Sequence, residues 1–198
     1  TGGLNAMIVD STALPEQAVR DVIASAFQSA GQRCSALRML YLQKDVEHKI
    51  MDMLCGALAA LRVGDPTDNS TDVGPVIDAE ARDALLAYCA QMEQGGRLLA
   101  KLEAPGEGTF VAPSIFRVSG IAELVREIFG PVLHVATFEA DQIDKVISDI
   151  NAKGYGLTFA LHTRIDARVQ HVVDGIHAGN IYVNRNQIGA VVGVQPFG

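Results

Sequence analysis

The sequence has no apolar run near the roughly 18 residues that a helix needs to cross a bilayer. It also has no basic-then-apolar leader at its start. Neither a membrane span nor a secretory signal is expected. Its three cysteines are an odd number without framework spacing, so disulfides are not expected to hold the fold. A reducing, intracellular compartment fits that usage. No Lys/Arg cluster is present, and the chain carries a net charge of −7. Both facts argue against a polyanionic partner such as nucleic acid. His48, His134, His162, His171 and His177 form no HExxH and the cysteines no CxxC, so no metal site is expected. There is no P-loop, no GxGxxG opening a helix after a strand, and no GxSxG elbow.

What is present is a chain of 198 residues, 48% hydrophobic and 20% charged, the composition of a well-packed globule of one large domain. Residues 6–9 read as a buried strand entered through a glycine turn. Pro15 and Glu16 suit the first turn of a helix, whose apolar stripe is Val19, Val22, Ile23, Ala26 and Phe27. Gly31 ends it. Residues 37–43 read as a second strand. A helix follows with Asp45 as its cap and Ile50, Leu54 and Leu58 on its core face. Asp78 caps a third helix with Leu85 and Cys89 inward. Strand candidates lie at 97–102, 132–138, 157–162 and 181–183, and residues 110–113 and 114–118 read as extended segments with Pro113 marking a break or an edge. A short helical turn is expected over 123–127. Two further helices are expected, capped by Asp141 and Asp166. Strands and helices alternate about five times. That pattern means an α/β fold, an open and mostly parallel sheet covered by helices. The loop at 103–108 is the weakest place for a boundary, so residues 1–198 are taken as one domain. Both ends read as cut from something longer.

One connection stands out. Cys34 follows the glycine that stops the first helix and has Arg33 beside it. Free cysteines are usually small buried hydrophobes, and that is the reading for Cys55 and Cys89. For Cys34 the same reading competes with that of a nucleophile whose thiolate a nearby cation would favour. Consecutive side chains need not face each other, so Arg33 alone does not decide it. No general base is fixed by spacing.

Several segments, in order, resemble one family. Residues 27–36, containing Gly31-Gln32-Arg33-Cys34-Ser35-Ala36, look like the catalytic-cysteine segment of the NAD(P)-dependent aldehyde dehydrogenases. Glu127-Ile128-Phe129-Gly130-Pro131-Val132 matches a second signature of that family. Thr1-Gly2-Gly3-Leu4-Asn5 looks like the tail of its general-base segment. Tyr155-Gly156-Leu157 and Gly179-Asn180-Ile181-Tyr182-Val183-Asn184 also fall in family order. The cysteine segment and Gly193-Val194-Gln195-Pro196-Phe197-Gly198 are closest to the L-glutamate γ-semialdehyde (Δ1-pyrroline-5-carboxylate) dehydrogenases, as in the dehydrogenase module of bifunctional bacterial proline-utilisation proteins.

The resemblance implies a fold, a reaction and residue roles. The fold is the family's catalytic domain. The reaction is NAD-dependent oxidation of the semialdehyde to L-glutamate through a thiohemiacetal and a thioester on Cys34. Glu127 would hold the nicotinamide ribose hydroxyls and Phe129 would pack near the nicotinamide. Ser35 would hydrogen-bond the substrate α-carboxylate, which a hydroxyl can do. The base, a glutamate, would precede Thr1. An NAD-binding domain and a proline dehydrogenase module carrying FAD would lie elsewhere in the same polypeptide, itself a homo-oligomer in the cytoplasm with room for peripheral association at the inner membrane. Alone, the 198 residues should not turn over. The alternatives are another semialdehyde dehydrogenase, acting on aminoadipate or succinate semialdehyde, and a non-catalytic domain of the same fold retained for assembly.

Overall fold

Four consecutive apolar residues can be a strand only if both faces of that strand are covered. Strand β1 (Ala6–Val9) meets that condition, with each residue at most 1% exposed. The computed structural model describes residues 2–190 and 193–194. The expectations placed on Thr1 and on Gln195-Pro196-Phe197-Gly198 lie outside the described residues.

After β1 come α1 (Pro15–Phe27), β2 (Met39–Gln43), α2 (Glu47–Ala59), α3 (Ala79–Gln94), β3 (Leu98–Lys101), β4 (Ser114–Arg117), β5 (Val132–Phe138), α4 (Ile143–Asn151), β6 (Thr158–His162), α5 (Asp166–Gly175) and β7 (Asn180–Val183). The seven strands form one sheet in the order β3-β4-β5-β2-β1-β6-β7. Among the described residues, only the edge pair β3–β4 is antiparallel. The α/β expectation of an open, mostly parallel sheet holds.

The period-2 alternation of strands sorts side chains between the two faces. Met7 and Val9 join the core beneath α1, α2 and α3. Ala6 and Ile8 join the core beneath α4 and α5. The stripe of α1 is buried through Val19, Val22, Ala26 and Phe27, and α4 buries Ile143, Val146, Ile147 and Ile150. Full burial of the valine, isoleucine and phenylalanine side chains among them contributes about 1.5–3 kcal/mol each.

Local expectations fail at four places. Asp78 does cap α3, accepting from the Ala81 amide at 2.8 Å. Asp45 does not cap α2: its carboxylate accepts from Gln43 Nε2 at 2.6 Å, and a 3-10 turn over Lys44–Val46 leads into the helix. Asp141 is displaced by Gln142 at the start of α4, and Asp166 lies inside the first turn of α5 behind Ile165. The expected helical turn at 123–127 is instead a 3-10 turn at Ile121–Glu123, after which Leu124 is extended. Glu123 pins that earlier start by accepting from Ser119 N and Oγ.

In open α/β sheets ligands usually sit outside the carboxyl ends of the strands. Here that edge, between β1 and β6, is closed by polar contacts of buried Asp10 with Thr12, Thr163 and Arg168. The segments carrying Cys34, Glu127 and Gly3 precede β2, β5 and β1, so they gather at the opposite, amino-terminal edge.

Candidate active site

The chain leaves α1 through a 3-10 turn at Gln28–Gly31 in which Ser29 (φ 57°), Ala30 (φ 52°) and Gly31 (φ 65°) are all left-handed. For a residue with a Cβ that conformation costs about 1–2 kcal/mol, and such strain tends to collect at functional sites. Gly31 could not be anything larger. A Cβ there would lie 2.1 Å from the Gly130 carbonyl oxygen and 2.9 Å from that of Ala26. The turn carrying Cys34 is thus pressed against the loop carrying Glu127 and Phe129.

Cys34 is half-buried and sits on the following turn, which the Ala36 N–H closes onto the Arg33 carbonyl at 3.1 Å. Its backbone is held from below by Asn5, immediately before β1. Asn5 Nδ2 donates to the carbonyls of Cys34 (2.7 Å) and Ala36 (3.0 Å), and its Oδ1 accepts from Thr158 N at 3.2 Å. Ser35 is buried, with its carbonyl accepting from Thr158 Oγ1 (3.2 Å) and Gln187 Nε2 (3.3 Å). The neighbouring cation of the sequence, Arg33, turns away: it is exposed, and its Nε donates to Ser29 Oγ at 3.1 Å.

The cation that joins the site is Arg38, wholly buried four residues after the cysteine. Its Nη2 lies 3.3 Å from Glu127 Oε1 and also donates to the Gly31 carbonyl at 2.7 Å. Its guanidinium lies 5.3 Å from the centroid of the Phe129 ring. Glu127 uses its other oxygen, Oε2, to accept from Gly3 N at 3.1 Å. Burial pulls the Arg38 pKa down, and the charge of Glu127 opposes the fall. An arginine stays charged all the same.

Behind Arg38 lies a fixed proton arrangement. His134 accepts no proton readily, because burial lowers its pKa to about 4. Burial raises that of Tyr88 to about 12. The neutral imidazole therefore donates from Nδ1 to the Arg38 carbonyl (2.9 Å) and accepts the Tyr88 hydroxyl proton at Nε2 (2.7 Å). A groove runs in front, lined among others by Gln32, Ile77, Leu85, Tyr88, Glu127 and Phe129. Gln32 fixes one wall through its bonds to Pro75 O and Ile77 N.

The structure brings Cys34, Ser35, Glu127 and Phe129 to one edge of the sheet. Arg38, Asn5 and Gln187, which tie that edge together, were not among the residues singled out from sequence. Arg38 and Asn5 each carry one signal that could have found them, a polar residue set inside an apolar stretch next to a strand. Gln187 lies in a region without periodicity and carries none.

Known proteins resemble this chain over its whole length. The profile of the aldehyde dehydrogenase family matches residues 1–198. The bifunctional protein PutA of Escherichia coli (strain K12) is 51% identical over 206 residues, covering 100% of this chain and 16% of that protein. A crystal structure of a bifunctional proline utilization A (PutA) protein superposes with a TM-score of 0.97 at 53% identity, over 100% of this chain and 20% of that one. The 1-pyrroline-5-carboxylate dehydrogenase from Thermus with bound NAD superposes with a TM-score of 0.90 at 35% identity, over 100% of this chain and 38% of that one. The chain therefore spans about a sixth of the length of the curated PutA protein it matches.

Proposed function

The chain belongs to the aldehyde dehydrogenase family, and on that premise we propose that residues 1–198 are the cysteine-bearing catalytic domain of an enzyme that oxidises L-glutamate γ-semialdehyde to L-glutamate with NAD in proline catabolism. The observation that carries this reading is the close joining of the cysteine turn to the Glu127–Phe129 loop, through the Gly31–Gly130 approach and the shared Arg38. The name of one matched protein, 1-pyrroline-5-carboxylate dehydrogenase, supports this choice of substrate.

The residues fit a nicotinamide dinucleotide. Phe129 is 46% exposed although Arg38 lies against its ring, which leaves aromatic surface for the nicotinamide. A carboxylate offers about four lone-pair sites. Glu127 has filled three of them, two with Arg38 and one with Gly3, so a ribose hydroxyl can take the fourth. When bound, NAD supplies the acceptor for the hydride.

Cys34 Sγ, as the thiolate, adds to the aldehyde carbon and forms a thiohemiacetal. The Cys34 backbone N–H helps hold the resulting oxyanion, a role in which pre-placed donors count for much. Loss of a hydride from the carbon, as the C=O bond re-forms, leaves a thioester on Cys34. Water adds to that carbonyl, the C–S bond breaks, and L-glutamate leaves as the thiol is restored. The Ser35 hydroxyl anchors the substrate α-carboxylate. The water-activating glutamate is placed immediately before Thr1. A dinucleotide-binding domain and an FAD-dependent proline dehydrogenase module belong to the same polypeptide, a cytoplasmic homo-oligomer.

Competitive thiol labelling of the full-length protein tests this reading. Burial raises the pKa of Cys89 to about 11 and, with Asp52, raises that of Cys55. Both are therefore poor sources of thiolate at neutral pH. Cys34 should be alkylated first, and NAD should slow its alkylation. Equal rates at all three cysteines with no effect of NAD would remove the enzymatic reading.

A further inference from the structure

A guanidinium with no exposure is an expensive way to fill space. Moving a charge out of water costs several kcal/mol unless its donors are matched, and well-packed apolar groups often replace buried ion pairs without loss. Arg38 is 0% exposed, so the use of each of its donors is informative. Nη1 donates to the Gly130 carbonyl at 3.0 Å. Nη2 donates to the carbonyls of Gly31 (2.7 Å) and Arg33 (3.3 Å). Nε and Nη2 reach Glu127 Oε1 at 3.4 and 3.3 Å. The guanidinium also lies 5.3 Å from the centroid of the Phe129 ring.

The acceptors fall into two groups. Gly31 and Arg33 are the backbone just ahead of Cys34. Glu127, Phe129 and Gly130 are the loop that faces the groove. The fork of an arginine presents its donors in a fixed plane, which a lysine ammonium cannot copy. The backbone of Arg38 is itself fixed: its N–H donates to the Asn5 carbonyl at 3.0 Å, and its carbonyl accepts from His134 N (3.0 Å) and Nδ1 (2.9 Å).

We propose that Arg38 is a positioning residue that sets the register between the nucleophile turn and the cofactor-facing loop, so that Cys34 and a dinucleotide seated on Glu127 and Phe129 meet at a working distance. This rests on the proposed dehydrogenase reading. Arg38 touches no reacting atom; it acts through Glu127, Phe129 and the carbonyls of residues 31 and 33.

The test uses the full-length protein and the variants Arg38→Met and Arg38→Lys. Melting temperature, KM for NAD, kcat, and Cys34 alkylation with and without NAD are measured on each. We expect a folded Arg38→Met to alkylate at Cys34 within about threefold of wild type when NAD is absent. It should need at least tenfold more NAD for protection, with KM for NAD raised and kcat lowered each at least tenfold. Arg38→Lys, which keeps the charge but not the fork, should rescue the fold without rescuing KM. The proposal is overturned if either variant keeps the wild-type melting temperature together with wild-type kcat and KM for NAD. It is also overturned if activity falls only in step with the unfolded fraction, or if neither variant folds, since Arg38 would then be purely structural. A wild-type protein whose Cys34 ignores NAD would instead remove the dehydrogenase reading itself.

Discussion

Acid should loosen this fold in part through the His134 imidazole. His134 is 1% exposed on β5, donating from Nδ1 to the Arg38 carbonyl and accepting from Tyr88 at Nε2. Burial lowers its pKa from 6.5 to about 4; the bond to Arg38 O opposes the fall and the Arg38 charge adds to it. Between pH 6.5 and about 4 the unfolded chain therefore holds a proton that the folded chain refuses. The contribution is intact above pH 6.5, declines as pH falls toward 4, and changes no further below that. At 1.36 kcal/mol per pH unit of displacement, the loss across the window comes to about 3 kcal/mol. The slope near pH 5 should be about 1 kcal/mol per pH unit. Urea unfolding of the chain at stepped pH, compared with His134→Asn, isolates this term. The carboxylates and His162, whose pKa burial also lowers, contribute to both proteins alike. Parallel pH profiles for the two proteins would refute the reasoning.

Other perturbations test neighbouring parts of the account. Gly31→Ala must carry a Cβ at positive φ into the Gly130 carbonyl; urea unfolding should show a loss of about 2 kcal/mol or more, and Cys34 labelling should lose its protection by NAD. Ser35→Ala in the full-length protein would remove the proposed hydrogen bond to the substrate α-carboxylate, worth about 1.5–3 kcal/mol, so KM for the semialdehyde should rise about tenfold to a hundredfold while KM for NAD stays put. The isolated 198-residue chain should give no measurable NAD-dependent oxidation of glutamate semialdehyde, and turnover in a spectrophotometric assay would contradict the placement of the base and dinucleotide contacts elsewhere in the polypeptide.

Much of the architecture was legible because periodicity reports burial directly. The stripe of α1 and the run of β1 could be read at their true positions. Helix starts were less legible. An aspartate one or two residues ahead of a stripe looks the same whether it caps, as Asp78 does, or bonds elsewhere, as Asp45 does with Gln43. The order of strands in the sheet was not accessible at all, since it depends on which crossovers pass over which face. Site residues split in the same way. Cys34 stood out from its local sequence, whereas the roles proposed for it, Ser35, Glu127 and Phe129 come from the family resemblance. Arg38 was missed because a charge is ordinarily read as solvated surface, and only the structure shows it buried among carbonyls from two loops. Arg33, adjacent in sequence, was the more obvious cation and turns out to face Ser29.

The central claim is that Cys34 carries the acyl group. The most direct measurement mixes the full-length protein with NAD and glutamate semialdehyde, quenches in acid within the first turnover, and maps the modified peptide by mass spectrometry. The account expects a glutamyl thioester on the peptide containing Cys34, absent without NAD and absent in Cys34→Ala. An adduct on another residue, or undiminished turnover by Cys34→Ala, would contradict it.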